Sequence, residues 1–331
     1  MAIIELDAHS VRVIREQTYA SQDFPGLTPI VHAFLQAAGG APERACFGIA
    51  GPVVDGVVST SNLPWRVETT RLAVDIGIAR TLLINDLAAT AFGVTRLAGD
   101  DLATLQEGEP DADGMHAVIA AGTGLGEAML GRDNGRWYTL PSEGGHGNFA
   151  PRSELEWDLF RSLAAEFGHV SSERVLSGPG LLNIYRFLAA RPGARENEAV
   201  RAEVSRDGPM AISRHGAAAT DLLSAQTLDV FAAAFGAEAG DLALTVLATG
   251  GLYVAGGIAP AILPRLRQGG FLAAFRDKGR MGDMLARIPV HVVMNTGVGL
   301  IGAAVAATDS GMLAGAAAPA QSLSHETSGT P

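Results

Sequence analysis

The sequence predicts an α/β protein of two units with a cleft between them, on three observations. Apolar, β-rich runs alternate with segments of helical periodicity along the chain. Glycine clusters follow two of those runs directly, at GTGLG (Gly122 to Gly126) and AGGI (255–258). The length, 331 residues, exceeds the roughly 100–200 usual for one domain, so two cores are expected.

AIIEL and VRVIREQTY, separated by the turn-forming DAHS, predict a hairpin over residues 2–19. A helix is predicted from Pro25 to Ala38, with proline in its first turn and Gly39-Gly40 ending it. ACFGIAG and TLLIND (81–86) read as buried strands, and LAATAFGVTRLA after the second is helical in period. HAVIAAGTG is a strand running into a glycine loop. In SELEWDLFRSLAAEFG, Ser153 precedes Glu156 at capping-box spacing, and Trp157, Phe160, Leu163 and Phe167 mark an apolar face. A long helical region from Asp221 to Thr249 follows, then a strand LYVAGGI, a helix after Pro260, a strand IPVHVVM and a last helix at GVGLIGAAVAA. From Ala314 the chain turns to Ala, Ser, Thr, Pro and Gly, which predicts a disordered tail over 314–331.

Hydrophobic residues at 47% and charged residues at 18% describe a globular protein with a sizeable core. With 24 Lys+Arg against 35 Asp+Glu the net charge is −11, and no basic cluster interrupts it, which argues against a nucleic-acid binder. Cys46 is the only cysteine, so no intramolecular disulfide or cysteine-based metal cluster is available, and the cytoplasm is the expected compartment. Neither a signal peptide nor an uncharged run approaching the roughly 20 residues of a membrane span is found.

Asn85 and Asp86 close the apolar run TLLIND. Ligands in open α/β sheets collect beyond the carboxyl ends of strands, where a carboxylate can take a proton from a hydroxyl. The plainer reading, compatible with this one, is that Asp86 N-caps the next helix. SEGGHGNFAP sets Glu143 and His146 three residues apart in a glycine-rich loop. A metal would need a third ligand, so binding a polyol is favoured, the pair offering both donors and acceptors. Glu173, in SSERVLSGPG, is a weaker ligand candidate or a helix-start charge. Read alone, Gly122, Thr123, Gly124, Leu125 and Gly126 are either a tight turn or a loop whose N–H groups and Thr123 hydroxyl cradle phosphate. Gly256-Gly257 are likewise either a strand-to-helix turn or a close approach to a ring or phosphate. Neither G-x-G-x-x-G nor G-x-x-x-x-G-K-[ST] occurs at these glycines.

Together and in this order, FGIAGPV, SNLPW, LLINDLAATAFGV, AAGTGLGEAML, LPSEGGHGNFAPRSELE, GHVSSERVLSGPGLLNIYR, YVAGGIAP, FRDKGRM and IPVHVV resemble the bacterial glucokinase family over about residues 2–307. The resemblance implies the two-domain ribonuclease H-like fold of hexokinase, actin and the Hsp70 ATPase. The small domain would take residues 1–96 plus about 296–313, and the large domain 97–295. It implies transfer of the ATP γ-phosphoryl group to the 6-hydroxyl of glucose, with Mg²⁺ bridging phosphates; no metal-ligating residue is assigned in this chain. Asp86 would be the general base and Asn85 a hydroxyl ligand, with Glu143, His146, Glu173 and, less securely, Asn62 as the other sugar contacts. Gly122 to Gly126 would be the second phosphate element and Gly256-Gly257 part of the adenosine site. A cytoplasmic homodimer is the expected assembly.

One family element is absent. A first strand leading into a D-x-G-G-T-[NK]-type phosphate loop should precede AIIEL, and no segment supplies it. That strand is central in the small sheet, and losing about five buried aliphatic residues would cost on the order of 10 kcal/mol. The expectation is therefore that Met1 is not the native start and that roughly 15 to 20 residues precede it. Taken literally, the chain predicts glucose binding with negligible turnover, as in a sugar-binding pseudokinase or regulator. A related ROK-type sugar kinase is the other alternative, although one cysteine cannot build that group's zinc motif.

Overall fold

The computed structural model describes residues 1–7, 10–60, 63–140 and 142–308. β1 (Ala2–Leu6) and β2 (Val11–Glu16) form the expected antiparallel hairpin, Ile4 opposite Val13. α1 (Leu27–Ala38) stops at Gly39, whose φ of 74° is the left-handed conformation glycine adopts without steric cost. β3 (Arg44–Ile49) is followed by a short antiparallel pair, β4 (Val57–Ser59) and β5 (Arg66–Glu68), that the sequence reading does not anticipate. After α2 (Thr69–Ile76), β6 (Arg80–Asn85) pairs in parallel with β3. α3 (Asp86–Val94) starts directly from its end.

The second half holds β7 (Leu102–Gln106), β8 (His116–Ala121), β9 (Leu125–Asp133) and β10 (Arg136–Leu140), then the helices α4 (Glu154–Phe167), α5 (Gly178–Ala189), α6 (Glu198–Asp207), α7 (Pro209–Ala217) and α8 (Leu222–Val246). β11 (Gly251–Ala255), α9 (Ile258–Ala261), α10 (Leu263–Leu266), α11 (Gly270–Arg276), α12 (Gly282–Leu285), β12 (Val290–Val293) and α13 (Val298–Thr308) complete the chain. The main sheet runs β10-β9-β8-β11-β12-β7, with β8, β11 and β12 parallel and the others antiparallel to their neighbours. The alternation of strands and helices thus produces the α/β class expected. No helix among the described residues is long and apolar enough to cross a membrane.

The sheet divides two apolar layers. Leu125 and Met129 of β9 face the layer of α4, α5, α7, α8 and α11, while Ala128 and Leu130 on the other face meet α3 and α13. α3 and α13 cross backbone against backbone. A Cβ on Gly302 would overlap the Ala89 carbonyl oxygen, and one on Gly93 would overlap that of Val298. A third cluster, including Val31, Val58, Leu72 and Leu83, lies under the N-terminal half. There the strands do not join into one sheet: among the described residues β1 pairs with β2 and β3 with β6. A cavity of about 440 Å³, lined by Met1, Tyr19, Leu27, Ile49, Trp65 and Leu300, lies beside them.

Five sequence readings are corrected. Asn85, not Asp86, is the N-cap of α3, because Asn85 is the last extended residue (φ −65°, ψ 147°) and Asp86 is already helical, which places Asn85 Oδ1 to accept from the N–H groups of both Leu87 and Ala88. α3 ends at Val94, where the Thr95 hydroxyl donates to the Phe92 carbonyl and competes with the next helical bond. In α4 the buried apolar residues are Leu159 and Leu163, whereas Trp157 is 47% exposed. The long helix starts after its cap Asp221 but ends at Val246, with Leu247 left-handed, and the helix placed after Pro260 begins at Ile258. Ser153 does cap α4, accepting from the Glu156 N–H at 3.2 Å; the Glu156 carboxylate reaches back to the Arg152 N–H at 2.6 Å.

Candidate active site

β6 delivers Asn85 and Asp86 to the start of α3. Asn85 Oδ1 accepts from the N–H groups of Leu87 (2.9 Å) and Ala88 (3.2 Å), and Nδ2 donates to the Gly51 carbonyl at 3.2 Å. This fastens the strand end to the loop after β3. Asp86 is exposed, and its Oδ1 accepts from the Leu87 N–H at 2.9 Å. Leu87 packs on the glycine loop: a Cβ on Gly126 would lie 2.7 Å from Leu87 Cδ2. The carboxylate therefore stands beside the loop that follows β8.

That loop is braced from within and from α5. The Gly122 N–H donates to the Gly124 carbonyl at 2.8 Å, and the Gly122 carbonyl accepts from the Gly178 N–H at 2.8 Å. Glu173 Oε2 accepts from the Leu125 N–H at 3.0 Å and lies so near Gly124 that a Cβ there would come within 2.5 Å of it. Among the described residues this leaves the N–H groups of Thr123 and Gly124 and the exposed Thr123 hydroxyl as uncommitted donors. β11 lies parallel beside β8, Ala255 opposite Ala120, so Gly256 and Gly257 emerge next to the loop. Gly256, at φ 83°, touches the Ala121 backbone where any Cβ would overlap it. Gly122 and Gly257, by contrast, face open space. Two adjacent glycine turns with room beside them fit a phosphate chain and its nucleoside.

Glu143 and His146 flank a 3-10 turn over Gly144–His146. The turn lies directly on the start of β9, since a Cβ on Gly145 would overlap the Leu125 carbonyl oxygen. His146 Nε2 and Glu143 Oε2 are 3.8 Å apart, with side chains 62% and 67% exposed. So exposed a pair is worth ~0–1 kcal/mol and yields readily to a ligand's hydroxyls. The next segment is zipped onto this one: the Ser172 N–H donates to the Gly147 carbonyl (2.9 Å), and the Phe149 N–H to that of Val170 (3.0 Å). The turn Ser172–Arg174 holds half-buried Glu173 between the two loops.

Asp86, Glu143, His146 and Glu173 are thus gathered around residues 122–126, and Gly256-Gly257 lie on the neighbouring strand end. Asn62 lies outside the described residues. Glu127, which the sequence reading passes over, has its carboxyl against Gly144 and is buried at 7% exposure. Burial first, then Glu238 and Asp241, push it up to about 7. The signal was legible, for it is a charged residue in the core-facing row Leu125, Glu127, Met129 of β9.

The Glucokinase family model matches residues 1–310. The chain is 44% identical over 316 residues to a glucokinase of Nostoc punctiforme, covering 91% of this chain and 93% of that one. It is similar to the crystal structure of a glucokinase from an Antarctic psychrotroph, with TM-score 0.78, 32% identity and coverage of 92% and 93%. A ROK family glucokinase from Streptomyces griseus, in complex with glucose and AMPPNP, shares the fold at TM-score 0.58 and 21% identity, with coverage of 88% and 91%. Matches over nine-tenths of the length, on a site assembled from the segments that carried the resemblance, make this chain a member of the glucokinase family, built on the actin-like ATPase fold.

Proposed function

We propose that this chain transfers the γ-phosphoryl group of ATP to the 6-hydroxyl of glucose, giving glucose 6-phosphate and ADP. The observation that carries the reading is the convergence of exposed Asp86, the Glu143–His146 pair and Glu173 on the braced loop 122–126. As the sugar oxygen bonds to the γ-phosphorus and the bond to ADP breaks, the hydroxyl proton passes to the Asp86 carboxylate. Glu143, His146 and Glu173 orient the remaining hydroxyls, with Asn85 holding the strand end beneath the base. The free N–H groups of Thr123 and Gly124 receive phosphate oxygens, and Gly256-Gly257 leave space for the nucleoside. Mg²⁺, bound with ATP through its phosphates, supplies neutralisation of their charge.

The same reading takes 1–96 with about 296–313 as one domain and 97–295 as the other. Its support is the separation of the β3–β6 pair from the main sheet, with α3 and α13 between. The single cysteine supports a cytoplasmic protein, and sedimentation equilibrium tests the homodimer.

The decisive experiment measures glucose 6-phosphate and ADP formed by this chain from glucose and Mg-ATP, beside glucose affinity by calorimetry. Equimolar products, abolished in Asp86→Asn, are expected. Glucose binding with no turnover would make it a sugar-binding protein instead of a kinase.

A further inference from the structure

Glu127 breaks the apolar row of β9 at the point where the 3-10 turn over Gly144–His146 rests on it. Its carboxyl lies so close to Gly144 that a Cβ there would overlap Oε2. α8 brings the Glu238 carboxyl against that of Glu127. The hydroxyl of Ser172, fully buried and without a hydrogen bond of standard geometry, faces Glu238 from the turn that carries Glu173. The other charged groups facing the pair are Asp241, one turn along α8, and Lys278, just beyond α11, whose Nζ is engaged by Asp241 Oδ1 at 2.6 Å.

We infer that Glu127 and Glu238 act as a hydrogen-bonded carboxyl pair, sharing one proton, that positions the Ser142–Gly147 loop and so holds Glu143 and His146 in place for sugar. The inference rests on the sugar-site reading above. Two carboxyls side by side, Glu127 buried and Glu238 half-buried, do not ionise together without strong mutual repulsion. While one proton is present, an O–H···O⁻ bond ties β9 to α8 and gives Gly144 a firm seat. Burial and the neighbouring carboxylates raise both groups, Glu127 to about 7, so the second ionisation falls close to neutrality. Above it, two carboxylates face each other beneath the turn, the bond is lost and the loop loosens. Neither carboxyl touches the reacting atoms in this reading. They are positioning residues, acting through Gly144, and the loss falls on sugar binding while phosphoryl transfer from bound sugar is little changed.

The test measures glucose Kd by calorimetry and glucose KM and kcat by coupled assay from about pH 5.5 to 9, for the unaltered protein, Glu127→Gln and Glu238→Gln. The unaltered protein is expected to lose roughly three- to tenfold in glucose affinity above about pH 7, an effect of the size that partial loss of one positioning hydrogen bond gives. ATP KM should stay level. Glu127→Gln keeps a donor to Glu238 but carries no charge, so its glucose affinity should be flat with pH and equal to that of the unaltered protein at low pH. Glu238→Gln should behave alike, which separates the effect from misfolding of a single variant. A Glu127→Gln profile that follows the unaltered protein through the whole range overturns the inference. Absence of glucose binding by the unaltered protein at every pH would instead overturn the sugar-site reading itself.

Discussion

Glu173 accepts a hydrogen bond from the backbone N–H of Leu125 at 3.0 Å, so the carboxylate that the proposed function gives to sugar also fixes the loop 122–126 proposed for phosphate. Glu173→Ala should therefore weaken both substrates. A hydrogen bond to a charged group contributes ~1.5–3 kcal/mol, or roughly 10- to 100-fold in kcat/KM. Glu173→Gln keeps an acceptor and should recover part of the ATP effect. Steady-state KM values for glucose and ATP check this, and a change confined to glucose would sever the proposed link.

Asp86→Ala should lower kcat by roughly 10²–10⁴, the usual contribution of a general base, while the glucose Kd from calorimetry stays within a few-fold. Its exposure at the start of α3 means that the substitution removes little packing. Turnover at the unaltered rate would take the role of base away from this residue.

Asn85→Ala removes the cap of α3 and the bond to Gly51 together. Loss of an N-cap costs ~0.5–2 kcal/mol, so the melting temperature should fall by several degrees and kcat with it as Asp86 loses its fixed position. Asn85→Asp preserves the capping oxygen and should restore most of the stability. Differential scanning calorimetry of the two variants distinguishes capping from a purely catalytic contribution.

Gly302→Ala would drive a methyl group into the Ala89 carbonyl, where α3 and α13 touch. Overpacking of this kind costs typically ~1–3 kcal/mol. Because α3 carries Asp86 at its first turn, kcat should fall along with stability. Gly299→Ala on the same helix meets only Thr90 Oγ1 at 3.8 Å and serves as the tolerated control. Equal melting curves for the two variants would contradict the tight crossing.

The Glu127 carboxyl, raised to about 7 from an ordinary 4.5, binds its proton more tightly folded than unfolded. Its contribution is fully present below about pH 4.5 and is lost as pH rises through about 7. Glu127→Gln, with nothing to ionise, should lose less stability than the unaltered protein between those limits. Chemical denaturation at a series of pH values reads the difference, which should vanish at the acid end.

Much of this architecture was legible because glycine and capping residues state their reasons locally. Gly39 stops α1, Ser153 opens α4, and the glycines after β8 and β11 mark two adjacent strand ends, the ones proposed for the nucleotide. The β9–β10 hairpin carried an equally local signal, Asn134-Gly135 with both residues at positive φ, which the sequence reading did not use. What stayed hidden depends on pairing across distance. That Glu173 would bond to Leu125, or that Glu127 would meet Glu238, follows from how β9, α8 and the Ser172 turn pack, and no short window contains both partners. The assignment of the α3 cap to Asn85 over Asp86 was a near miss of one residue, decided by where β6 stops.

The glycine-to-carbonyl contact between α3 and α13 also limits how those two helices can shift against each other. Helices separated by side chains can slide as those side chains change rotamer, but peptide groups in direct contact have nothing to rearrange. The crossing therefore behaves as a rigid joint that resists sliding and keeps Asp86, at the start of α3, in register with α13.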